Sequence, residues 1–184
     1  LFLTRMIKIF FFLLLNYFSL VGYSIFFKNK ILKNKNFEFI NLDIFYGIFF
    51  VILIAIITNF FSPLIYYGIL FVPFGLILLI LFLKDYTFKI NFLSFTLILF
   101  FFIFISFSNQ LAGDTPFYHL QTIKWFSEFK ISFGLANLEP RYGIDSIWHI
   151  LLSIFNITIF DVNLIYHFNL IIYAIVFNEL FSVK

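Results

Sequence analysis

LDIFYGIFFVILIAIITNFFSPLIYYGILFVPFGLILLILFL, residues 42–83, decides the fold. It holds two apolar runs, Leu42 to Phe61 and Leu64 to Leu83, parted only by Ser62-Pro63. Each has about the 20 residues that a helix needs to cross roughly 30 Å of hydrocarbon. The Ser-Pro pair punctuates a tight turn between them. The stretch therefore predicts a helical hairpin in a bilayer. Pro73 falls inside the second run, where a proline kinks a membrane helix and neighbouring helices re-satisfy the freed carbonyl.

The pattern extends on both sides. Upstream, Ile7 to Phe27 is a further apolar run with Arg5 and Lys8 at its front. It is too long for a signal-peptide core, and no small-residue cleavage site follows it. Lys28, Lys30, Lys33 and Lys35 come next, interleaved with Asn29, Asn34 and Asn36, in a short loop. The positive-inside rule places that loop in the cytoplasm. Downstream, Lys84 and Lys89 mark a second cytoplasmic turn before Phe92 to Phe107 returns. Counting crossings puts the N-terminus and the segment from Ser108 to about Asp145 outside.

The outer segment has its own order. Asp114 or Thr115 can cap a helix, Pro116 suits its first turn, and Gly134 is the next breaker. This predicts a helix from Pro116 to about Lys130. Gln121, Lys124 and Glu128 share one face, with Ile123, Trp125 and Phe126 on the other, the pattern of a helix lying along a membrane surface. His119 falls on the apolar side. A loop containing Asn137, Arg141 and Gly143 follows, and Ser146 to Phe160, short for a span, reads as a re-entrant or interfacial helix with Trp148 and His149 near its start. Leu164 to Phe181 reads as a true crossing with His167 and Asn169 in its middle, a place where polar groups are expensive.

Composition agrees with this reading. With 63% hydrophobic and 11% charged residues over 184 positions, the chain cannot be given a polar surface. The expected fold is an all-α polytopic transmembrane bundle of about five or six membrane helices. Its outer loop, residues 109–145, carries amphipathic interfacial helices. The whole of 1–184 reads as one membrane domain, the N-terminal part of a longer protein, since it starts with Leu1 and stops directly after an apolar run. The absence of cysteine removes disulfides, thiolate nucleophiles and cysteine-ligated metals. A formal charge of +3 spread along loops gives nucleic-acid binding no footing. The 34 Phe residues, with abundant Ile, Asn and Lys, fit an AT-rich coding sequence, so an aromatic stripe here is not a ligand box.

Chemistry concentrates between Gly113 and Trp148. Asp114, at a helix start, can act as general base on a sugar hydroxyl or help hold a divalent cation, while His119 and Arg141 stabilise a phosphate leaving group. The plain alternative, that Asp114 only caps the helix, stays open. No two histidines have zinc spacing and no glycine-rich phosphate loop is present, so no metal ligands and no cofactor are expected.

Asp114-Thr115-Pro116-Phe117-Tyr118-His119-Leu120-Gln121, Ile123-Lys124-Trp125, Gly134-Leu135-Ala136-Asn137-Leu138, Arg141-Tyr142-Gly143 and Ser146-Ile147-Trp148 together resemble a family of uncharacterised bacterial polytopic membrane proteins associated with surface-polysaccharide genes. More distantly, the order of these elements is similar to that in integral-membrane glycosyltransferases of the GT-C type. That resemblance implies an enzyme of the bacterial inner membrane that takes sugar from a polyprenyl-phosphate donor at the outer face, its partners being that lipid and the bilayer. It implies Asp114 as the base, Arg141 and His119 as ligands of the lipid phosphate, and Tyr118 and Asn137 as further substrate-binding residues. Thr115 stands where those enzymes often carry a second acidic residue, which leaves a divalent cation unsupported, and the acidic loop follows the fourth crossing instead of the first. A polysaccharide polymerase or ligase, a transporter or flippase component, and a noncatalytic membrane scaffold are the competing readings.

Overall fold

The structure, a computed structural model, describes residues 2–33, 38–107, 119–131, 133–134, 137, 140, 147–156, 158–159 and 162–182. Among these the chain is all-α, with two-residue strand pairs only in its connections. Helix α1 is Phe2–Phe26, running on through a π-helical turn at Phe27–Ile31. Helix α2 is Ile44–Phe61, α3 is Ile65–Phe82 and α4 is Phe92–Ser106. Two short helices follow, α5 at Leu120–Glu128 and α6 at Ile147–Ile154, before α7 at Asn169–Ser182. Three helical stretches, Leu3–Ile31, Asn41–Phe61 and Ile65–Asp85, are long and apolar enough to cross a membrane; α4 and α7 are apolar but shorter.

Helix α1 is the hub. Ser19 and Tyr23 reach Phe71 of α3, and Phe26 meets Phe82, so α1 and α3 run parallel. Phe10 meets Phe100 and Phe18 meets Phe92, which sets α4 antiparallel to α1. Helix α7 runs back along α4 through Phe102, whose ring lies 5.1 Å from that of Phe177. The α1–α3 contact is made by backbone against backbone. A Cβ added to Gly22 would lie 1.9 Å from the Gly75 carbonyl oxygen, and one added to Gly75 would lie 2.6 Å from that of Ser19. Small residues let apolar helices approach until dispersion and hydrogen bonds hold them without help from water. Gly47 plays the same part between α2 and α1, where a Cβ would come within 2.2 Å of the Leu20 carbonyl oxygen.

The outward faces are apolar. On α3, Tyr66, Ile69, Leu70, Ile80 and Leu81 are all more than 60% exposed, far beyond the apolar patches that soluble monomers tolerate. Pro73 lies within α3, and the nearby Phe71 carbonyl accepts hydrogen bonds from Tyr23 Oη at 2.9 Å and Ser19 Oγ at 3.3 Å. Polar side chains of α1 thus bond the backbone of α3 two residues before the proline.

The bundle has two distinct ends. At one, the loop after α1 meets the loop after α3: strand β1, Glu38–Phe39, pairs in parallel with β2, Thr87–Phe88. The first lysine of the loop is withdrawn from solvent. Lys28 is 3% exposed, its Nζ 2.8 Å from Asp43 Oδ2 and 3.3 Å from the Glu38 carbonyl oxygen. A buried cation needs a partner and further acceptors, and the π-helical turn carries Lys28 to both. At the opposite end lie α5, α6 and the start of α7. Helix α6 is shorter than Ser146 to Phe160: it stops at Ile154, and the chain then forms a small antiparallel pair, β3 Thr158–Ile159 with β4 Val162–Asn163. Helix α7 likewise begins at Asn169, after a 3-10 turn at Leu164–Tyr166.

Candidate functional site

The end of the bundle remote from Lys28 and Lys89 gathers polar side chains of three elements. Helix α5 is amphipathic as its sequence requires. Gln121, Lys124 and Glu128 are exposed, while Thr122, Ile123, Phe126 and Ser127 are buried. Its C-terminal end is fastened by Asn59, itself 1% exposed at the end of α2. Asn59 Nδ2 donates to the carbonyl oxygens of Phe126 at 3.1 Å and Phe129 at 3.0 Å, and the Asn59 carbonyl accepts from the Ile131 N–H at 2.9 Å. Leu64, at the start of α3, donates its N–H to the same Phe126 carbonyl. These bonds satisfy the carbonyls that every helix leaves open at its end.

A chain of uncharged groups then ties α5 to α6 and to the approach of α7. Asn156 Nδ2 donates to Ser127 Oγ at 3.0 Å, Asn163 Nδ2 to Asn156 Oδ1 at 3.0 Å, and the Ile165 N–H to Asn163 Oδ1 at 3.1 Å. This chain anchors the segment that follows α6 to α5 and to the hairpin.

Between these elements is a pocket of about 330 Å³, walled by His119, Trp148, His149, Tyr166 and Asn169 over an apolar base that includes Ile123 and Leu152. His119 Nδ1 and His149 Nε2 are 2.9 Å apart, with ring centroids at 5.0 Å. Such a contact needs one ring to donate and the other to accept, so the pair carries at most one positive charge and can pass a proton between rings. Burial, and secondly the charge of His119, holds the His149 imidazolium pKa below its ordinary value. Trp148 Nε1 donates to Asn169 Oδ1 at 2.9 Å, which fixes the indole plane against the start of α7.

Of the residues picked from sequence, Asp114, Tyr118 and Arg141 lie outside the described residues. His119 is in the pocket, turned inward as its apolar-face position implies. Asn137 is not a pocket residue; it is exposed in a turn whose Asn137 N–H donates to the Gly134 carbonyl at 2.9 Å. His167 and Asn169 do not form a mid-membrane polar site. Both precede or open α7 at the pocket end, with His167 stacked on Phe107 at 6.2 Å. Sequence reasoning missed His149, Trp148, Tyr166 and Asn169 as pocket residues. The one available signal was the placing of Trp148 and His149 at the start of a short apolar helix. Among the described residues, no group of three or more His, Asp or Glu side chains is placed to hold a metal ion.

No curated protein and no solved structure matches the chain. Residues 6–184 match the model of a domain of unknown function, DUF8201, and the chain belongs to that family.

Proposed function

We propose that the chain forms part of a membrane glycosyltransferase of the GT-C kind, drawing on a polyprenyl-phosphate-linked sugar at the outer face of the membrane. The observation that carries this reading is the pocket built from α5, α6 and the start of α7. It sits at the end of an apolar bundle, where a lipid-borne headgroup arrives, and its His119 is five positions along the chain from Asp114. In this reading α1 to α4 and α7 are five crossings, the lysine end faces the cytoplasm, and α5 and α6 lie at the outer interface. Asp114 takes the proton from the acceptor hydroxyl, and the lipid phosphate leaves with Arg141 beside it.

Two measurements test it. The chain has no cysteine, so a single cysteine at Asn137 should react with an impermeant maleimide on intact cells; labelling only after permeabilisation overturns the orientation. In membrane vesicles charged with polyprenyl-phosphate-linked sugars, Asp114→Asn should lower transfer by about 10²–10⁴-fold, the share a general base supplies. Full transfer by Asp114→Asn, with loss in His167→Ala, would favour transport over catalysis.

A further inference from the structure

We propose that the adjoining ends of α1 and α3 form a docking surface for the phosphate headgroup of an anionic phospholipid in the leaflet at that end of the bundle, a role independent of the transferase reading.

Charge without an ionic partner points to it. Among the described residues, the ion pairs at this end join Lys28 to Asp43 and Lys89 to Glu38. Lys30, Lys33 and Lys84 are exposed and belong to neither pair. Asp85, beside Lys84, is the one described carboxylate on these two helix ends, while Glu179 at the end of α7 accepts the Asn41 N–H at 3.0 Å. The sequence between Lys33 and Glu38, Asn34-Lys35-Asn36-Phe37, adds a further lysine and no acid. Cations outnumber carboxylates here.

The fold gathers these cations at one level. Because α1 and α3 run parallel, with Phe26 against Phe82, both end on the same side. Lys30 Nζ lies 5.9 Å from the centroid of the Phe82 ring, which carries its ammonium to the last turn of α3, and Lys84 follows in the 3-10 turn Leu83–Asp85. Lys33 comes just past the π-helical turn with φ of 51°, in the left-handed region that helix ends usually fill with Gly or Asn. A helix dipole favours a cation in the last turn, which covers Lys30 and Lys84. It gives no reason to keep a lysine in strained backbone beyond the helix end. An anion held there does.

The surface beside the lysines is hydrocarbon. Ile31 and Leu32 at the end of α1, with Ile80 and Leu81 of α3, are exposed. A cationic rim over an apolar wall matches a molecule with a phosphate above acyl chains, whereas a soluble anion would use the rim alone. Lysine ammonium groups on flexible stems hold phosphate as point charges, without the fixed fork of arginine. That suits a headgroup drawn from the surrounding bilayer.

The test uses the whole chain in phosphatidylcholine nanodiscs. Leu81→Cys, at a side chain 66% exposed in a chain with no other cysteine, carries a fluorophore, and brominated phosphatidylglycerol or phosphatidylcholine quenches it locally. Phosphatidylglycerol should quench at the lower mole fraction, and an excess of inorganic phosphate should not reverse the preference. Lys30→Gln should lower the preference about fivefold, the weight of one lysine near a lipid surface. Lys33→Gly, which suits the backbone, should lower it by a similar factor without lowering the thermal melt. Lys89→Gln, which removes the same charge from a residue already paired with Glu38, should leave it unchanged. If Lys30→Gln does not fold, Asp85→Asn replaces it and should raise the preference severalfold. Equal quenching by the two lipids, reversal by phosphate, an unchanged preference in folded Lys30→Gln, Lys33→Gly or Asp85→Asn, or an equal loss in Lys89→Gln would each overturn the docking surface.

Discussion

The two ends of the bundle are held by different chemistry. At the lysine end the contacts carry charge. Lys28 is buried against Asp43, Lys89 meets Glu38 at 2.8 Å, and the Asn41 N–H donates to Glu179 Oε1 at 3.0 Å, joining the approach of α2 to the far end of α7. At the pocket end the hydrogen bonds seen between described residues of different elements join uncharged groups: an asparagine under α5, a serine-asparagine-asparagine chain, an indole-amide bond and an imidazole pair. Removing one member of a buried ion pair strands a charge and costs about 3–5 kcal/mol, whereas a neutral hydrogen bond is worth about 1 kcal/mol net. One end is therefore built to stay closed. The other is built from bonds weak enough for a ligand to share.

The largest expected effect breaks the charged end. Lys28→Met leaves Asp43 buried without its cation and should destabilise the fold by about 3–5 kcal/mol, read as loss of monodisperse protein or a fall in denaturant midpoint. Lys28→Met with Asp43→Leu should recover much of that loss, because a buried pair can be replaced by apolar residues of similar volume. If the single variant is as stable as the parent, the two ends do not differ as argued.

A smaller loss is expected at the neutral end. Asn59→Ala removes the donor shared by the Phe126 and Phe129 carbonyls and should cost about 1–3 kcal/mol. Hydrogen exchange should rise in α5 while α1 and α3 stay protected. Uniform exchange across the bundle would mean that α5 is not a separately fastened element.

The last effect is absent at neutral pH and separates the ends only in acid. Burial, and secondly the charge of Arg5, pushes the His167 pKa from the usual 6.5 down to about 4, and His149 is lowered as well. Groups held neutral in the fold bind fewer protons than in the unfolded chain. Their stabilisation is complete above pH 6.5 and is lost as pH falls toward 4. The melting temperature should decline over that window, and His167→Gln should flatten the decline. An unchanged slope in His167→Gln would place the acid sensitivity elsewhere.

Much of the bundle was legible because lipid-length apolar runs declare themselves. Leu42 to Phe61, Leu64 to Leu83 and Phe92 to Phe107 fall within two residues of α2, α3 and α4. The exposed stripe of α5 was equally plain, because polar residues at positions 121, 124 and 128 follow the helical period. The imidazole pair was not legible. His119 and His149 are 30 positions apart on two short helices, and nothing in either helix encodes how they dock. The burial of Lys28 was not legible for a similar reason. It is followed in sequence by asparagine and lysine, and its partner Asp43 lies beyond a loop whose course no local pattern fixes. The anchoring of Asn156 depended on the distant Ser127.

The glycine contacts carry a consequence for the gene itself. Along the outward faces one bulky apolar residue can replace another at little cost, so the exposed members of the 34 Phe residues can follow the base composition of the coding DNA. Glycine codons begin with two guanines, and a drift toward A and T erodes them. At positions 22, 47 and 75 any side chain would collide with a neighbouring backbone. Those three codons are where mutational bias meets a geometric wall, and a lineage that crossed it would lose the seam between α1, α2 and α3 before it lost the pocket.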